Sequence, residues 1–85
     1  MNTANTFTEK EFYTEICRFR EHLGNSEWWQ KPQEIRDACV RGLSFVYFNV
    51  VNDDGSLPNK SQIDKWGAIF DATISEYSRR ESFMI

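Results

Sequence analysis

The chain has 85 residues, of which 40% are apolar and 27% charged, and a formal net charge of −3. This length sets a single domain, and the apolar share, with seven Phe, three Tyr and three Trp, excludes a disordered chain. The charge has the wrong sign for a simple phosphate binder, and no run approaches the roughly 18 apolar residues that a membrane span needs.

The first segment, Met1 to Thr6, is polar and lacks an apolar signal core, which points to a cytoplasmic protein with Cys17 and Cys39 reduced. Residues 1–7 read as a frayed N-terminus of one helical domain spanning 1–85. Thr8-Glu9-Lys10-Glu11 then matches the capping box, in which a Thr side chain and a Glu three residues on satisfy open amides at a helix start. Phe7 before the cap and Phe12 after it suit a hydrophobic staple. Phe12, Ile16, Phe19 and Leu23 recur at helical spacing, and Gly24 supplies a stop, so the first helix is predicted over 9–23.

Residues 25–31 form a link that has room for a short extra helix. Pro32 suits the first turn of a second long helix, predicted over 32–51, with Ile35, Cys39, Gly42, Val46 and Val50 along its inner face. Its second half, Phe45-Val46-Tyr47-Phe48, is apolar on nearly every side. Residues 44–51 also suit a strand, because aromatic and β-branched types dominate them, and an α+β fold is the alternative. That strand would need a pairing partner that the following residues do not supply.

Asn52 to Pro58 reads as a surface loop. A third helix starts near Asn59 or Ser61 and runs to about Arg80, with Ile63, Trp66, Phe70, Ile74 and Tyr77 as its stripe. Residues 81–85 form an apolar tail. The predicted fold is all-α, a small three-helix up-down-up bundle that places Cys17 level with Cys39.

The search for chemistry returns structural readings. Cys17 and His22 are five apart on one helix and do not face each other, and they read as a buried thiol and a surface imidazole. Asp53-Asp54-Gly55 has the glycine of a calcium loop, but Val50 and Ser61 stand where carboxylates belong. Glu9, Glu11 and Glu15 complement a helix N-terminus. The sequence carries no phosphate-binding glycine loop, and no cofactor or metal set is read from it. Trp66 and Phe70 read as core, and Arg79 and Arg80 as favourable charges at a helix C-terminus.

What the stripes do not absorb is aromatic and aliphatic. Trp28 and Trp29 are adjacent and point in different directions, and tryptophan is enriched at binding hot spots. Tyr47, Phe48 and Val51 fall outside the inner face of the second helix, and Phe83 opens the apolar tail. These six residues are the candidate partner-binding surface.

Phe7-Thr8-Glu9-Lys10-Glu11-Phe12, followed by Ile16-Cys17-Arg18, resembles the first helix of the small immunity proteins that inhibit nuclease colicins. The likeness implies an acidic four-helix inhibitor. It covers under a fifth of the chain, and the family's paired tyrosines before a proline have no counterpart, since Phe48-Asn49 follows Tyr47. No binding residue carries over. In size and character the chain also resembles the accessory proteins of phages and mobile elements, many of which block host defence complexes.

The expected function is therefore a non-enzymatic protein-binding module, an inhibitor or accessory protein, that self-associates and acts by covering a partner protein. One alternative is an oligomer that sequesters a nucleotide, with Trp28 or Trp29 stacking on a base and Arg36 or Arg41 meeting phosphate. Another is a DNA-binding regulator using Lys60, Lys65, Arg79 and Arg80. The charge balance disfavours nucleic acid, since Asp64, Asp71 and Glu76 lie on that same helix.

Overall fold

The computed structural model describes residues 5–83. Helix α1 (Glu9–Leu23) is followed by one turn of helix, α2 (Ser26–Trp29), then by α3 (Gln33–Tyr47) and α4 (Lys60–Ser82). The fold is all-α, and the link at 25–31 does hold the short extra helix. The ends of the helices fix their directions. Glu9 and Phe12, early in α1, meet Trp66, early in α4, while Phe19 meets Tyr77 near the end of α4. Arg36, early in α3, bonds Glu81 at the end of α4. Thus α1 and α4 run parallel and α3 packs against both in the opposite sense, up-down-up.

Two of the long helices start at a capping box. The Thr8 side chain accepts from the Glu11 amide while Glu11 accepts from the Thr8 amide at 2.8 Å. Asn59 and Gln62 repeat the arrangement at α4, with both bonds at 2.9 Å. Gly24 ends α1 with φ −90°, so it stops the helix without using the left-handed region. The α1 stripe is as expected: Phe12, Ile16, Phe19 and Leu23 are all buried, each contributing about 1.5–3 kcal/mol of transfer free energy.

Helix α3 departs from expectation in extent and in rotation. It ends at Tyr47, because the Asn49 side chain donates to the Phe45 carbonyl at 2.7 Å and the β-branched Val50-Val51 pair extends. The extension finds a partner that the residues after the loop could not provide. The Phe7 amide donates to the Asn49 carbonyl at 3.0 Å, and the Val51 amide donates to the Phe7 carbonyl at 2.8 Å, a parallel bridge of Phe7 with Val50. The strand reading of 44–51 therefore reduces to one bridge, with residues 44–47 helical. Phe7, assigned to a frayed terminus, is tied down by the same bridge, and its ring meets Phe45 edge-on at 5.9 Å. Residues 1–4 of that segment and 84–85 of the tail lie outside the described residues.

The inner face of α3 is Arg36, Leu43 and Val46, continued by Val50, while Ile35 is exposed. The helix is rotated from the expected face because Arg36 turns inward, where carbonyls and a carboxylate await it. Cys17 is exposed and Cys39 half-buried, both as free thiols. Cys17 stands one residue beyond Ile16, about 100° round the helix from the stripe, and is not a core neighbour of Cys39. His22, read as a surface imidazole, is half-buried and stacks on Trp28 at 5.3 Å.

The loop is pinned as well. The Gln62 side chain donates to Asn52 Oδ1 at 2.8 Å, and Asn52 donates to Ser56 Oγ and to the Leu57 carbonyl. Gly55 has φ +86°, the left-handed region that favours glycine. On α4, Trp66, Thr73 and Tyr77 are buried. Thr73 satisfies its hydroxyl within the helix by donating to the Ile69 carbonyl at 2.9 Å.

Candidate functional site

One end of the bundle is an aromatic and ionic knot. Trp28 is buried, 5.8 Å from both Phe19 and Tyr77, and Trp29 stacks on Tyr77 at 5.5 Å. The Trp29 indole donates to the Leu23 carbonyl at 2.9 Å, and Arg80 donates to the same carbonyl at 2.6 Å, closing the end of α1. Arg36 lies over the Trp29 ring and donates to the carbonyls of Trp29 and Lys31 and to Glu81 Oε2, the last at 3.1 Å. The Tyr77 hydroxyl stands 3.1 Å from Asp37 Oδ1 and from Glu81 Oε2.

The knot corrects two expectations. Trp28, and largely Trp29, are structural rather than presented to a partner, because the one-turn helix α2 folds both indoles onto Tyr77. Arg36, a candidate phosphate ligand, spends Nη1 and Nη2 inside the protein, while its Nε is buried without a partner among the described residues.

Burial, helped by the neighbouring Asp37 and Glu81, pushes the Tyr77 hydroxyl from 10.0 up to about 12. The folded state then holds a proton that the unfolded chain releases. Stability is full below pH 10 and falls as pH rises through 12, by about 3 kcal/mol for a shift of this size. An alkaline titration followed by tyrosinate absorbance and circular dichroism should show one late tyrosine whose ionisation accompanies unfolding. Tyr77→Phe should abolish that coupling.

The opposite end is built differently. Tyr47, Phe48, Val50, Leu57, Pro58, Ile63 and Trp66 line an apolar cleft of about 340 Å³. Its floor is core, since Val50 and Trp66 are buried, whereas Phe48 is 75% and Leu57 83% exposed at its rim. Tyr47 forms one wall, stacked on Phe70 at 4.6 Å with the rings 4° from parallel. Gly67 admits that wall: a Cβ there would lie 2.8 Å from the Tyr47 hydroxyl oxygen.

Trp66 also borders a second hollow of about 490 Å³, together with Glu9, Val51, Asn52, Asp53, Asp54, Ser56 and Gln62. The first hollow is apolar and this one acidic. Glu9 Oε2 accepts from the Trp66 indole at 2.8 Å and pairs with Lys65 at 3.2 Å, and both hold its carboxyl below the usual range. Asp54 accepts from the hydroxyl and amide of Ser56, which lower it likewise. Among the described residues, no cation pairs with Asp53 or Asp54.

Of the six residues expected to bind a partner, the fold brings Tyr47 and Phe48 together at the apolar cleft and puts Val51 beside it in the acidic hollow. Trp28 and Trp29 lie in the knot. Phe83 is exposed at the far end of α4, about 34 Å along the axis from Lys60. Leu57, Pro58 and Ile63 were missed as site residues. The available signal was Leu57, a large apolar residue directly after the polar run from Asn52 to Ser56.

Chemically, the paired hollows suit binding. Among the described residues, no group of three or more His, Cys, Asp or Glu could hold a metal ion, and no helix is long and apolar enough to cross a membrane. Each of the four cations considered for DNA is paired: Lys60 with Asp64, Lys65 with Glu9, and Arg79 and Arg80 with Glu76. No protein-family model, curated protein or solved structure matches the chain.

Proposed function

We propose that this is a small protein-binding module, of the inhibitor or accessory type, that works by docking a partner protein on the Tyr47–Phe48–Leu57–Ile63 cleft. The observation that carries the reading is the cleft itself: large apolar side chains stand in solvent around a preformed apolar depression. Solvent-facing apolar side chains grouped around a hollow mark interaction sites, whereas isolated ones are ordinary surface. Self-association is the competing use of the same exposed apolar groups, and sedimentation tests it.

The proposal predicts a separation of stability from binding. Phe48→Ser combined with Leu57→Ser removes rim side chains that are already hydrated, so unfolding free energy should change by no more than about 0.5 kcal/mol per site. Binding of an environment-sensitive apolar dye, and any concentration-dependent sedimentation of the parent protein, should both be lost. A double variant that keeps both properties would remove the cleft from the function.

A further inference from the structure

The two hollows share Trp66 and the strap of residues 50–58, and their chemistry differs. Resting on the docking reading above, we infer that the occupant is a segment of a partner protein that carries an apolar anchor flanked by basic side chains. The anchor fills the apolar cleft, and a lysine or arginine beside it enters the acidic hollow.

The argument is charge complementarity. Around the two hollows Lys65 is balanced by Glu9 and Lys60 by Asp64, so those four groups cancel. Asp53 and Asp54 are left over, both exposed on the strap. Ser56 holds Asp54 below its usual value, so its charge persists at neutral pH. Among the described residues the excess is thus two negative charges in the hollow that shares Trp66 with the apolar cleft. A guest with an acidic flank meets like charge there, and a neutral flank leaves the excess uncompensated. The alternative occupant, a second copy presenting the same face, would bring its own Asp53 and Asp54 against these and add repulsion.

The test uses three synthetic helical peptides with identical leucine and phenylalanine anchors, flanked by lysines, by glutamines or by glutamates. Binding to the full chain is read from backbone amide shifts at residues 47–58 and from Trp66 fluorescence. The lysine peptide should bind about tenfold more tightly than the glutamine peptide at low salt. That advantage should shrink in high salt and in the Asp53→Asn, Asp54→Asn double variant. Asparagine keeps the Oδ1 acceptor that Ser56 uses, so the strap should retain its shape. Equal binding of all three peptides, or tighter binding of the glutamate one, would overturn the basic flank and leave the cleft reading standing. Failure of every peptide to shift the cleft amides would overturn both.

Discussion

Replacing Trp66 by Ala is expected to cost about 4 kcal/mol of folding free energy, measured by urea denaturation followed by circular dichroism. A chain of this length has a total stability of roughly 4–13 kcal/mol, so the loss takes from about a third to all of it. The size of the effect follows from position. Trp66 is 2% exposed, packs against Phe12 at 6.4 Å and forms the floor shared by both hollows. Its indole N–H also satisfies Glu9, so truncation opens a cavity and removes a donor from a carboxylate in one step. Trp66→Phe separates the two losses. It keeps most of the ring volume and should cost about 1–2 kcal/mol, chiefly the hydrogen bond to a charged group and the unfilled part of the ring.

Replacing Arg36 by Ala is expected to cost about 3 kcal/mol, although the residue is charged and lies outside every apolar stripe. Its side chain is only 10% exposed and supplies donors to two carbonyls of the α2–α3 link and to Glu81. Removing it leaves the Trp29 and Lys31 carbonyls without that donor and Glu81 with the Tyr77 hydroxyl alone among these donors. Burial opposes the charge on Arg36, and Glu81 and Tyr77 together more than offset that, raising its pKa. Glu81 is itself shielded, so the loss is that of a partly buried ion pair broken on one side. The doubly apolar Arg36→Met, Glu81→Met variant should recover part of the stability, because it leaves no lone charge. Recovery should stay incomplete, since the Trp29 and Lys31 carbonyls still lack their donor. A double-mutant cycle in urea measures the coupling; a value near zero would show that Arg36 acts through the two carbonyls and packing, not through Glu81.

The two expectations bear on how the molecule divides its labour. The Arg36–Trp29–Tyr77 end spends its aromatic and charged groups on closing the bundle. The Tyr47–Leu57 end leaves apolar groups in water. A mutation at the first end should act through folding, and one at the rim of the second through binding.

The helices were legible in the sequence because their signals are local. Thr8 with Glu11, and Asn59 with Gln62, place starts within a few residues, and the α1 stripe names its own buried face without reference to the rest of the chain. The site was legible in part. Tyr47 and Phe48 stood out because the second half of α3 is apolar all round. Trp28 and Trp29 stood out for their composition too, but Trp28 is core and Trp29 lies half-buried against it. Composition marks a residue as bulky and apolar, and it cannot say whether Tyr77, 49 residues after Trp28, is waiting beneath it.

The sequence by itself determined the three long helices, the Thr8 capping box and the α1 face, since each rests on side chains within four residues of one another. Only the tertiary structure decided the rotation of α3, the tying of Phe7 to Val50 and the joining of Leu57 and Ile63 to Tyr47 and Phe48. Those outcomes depend on partners many residues away: Glu81 for Arg36, Phe7 for the Val50 extension, and Gly67 for the Tyr47 ring. Backbone groups and charges must find partners wherever the chain brings them, and that search is global.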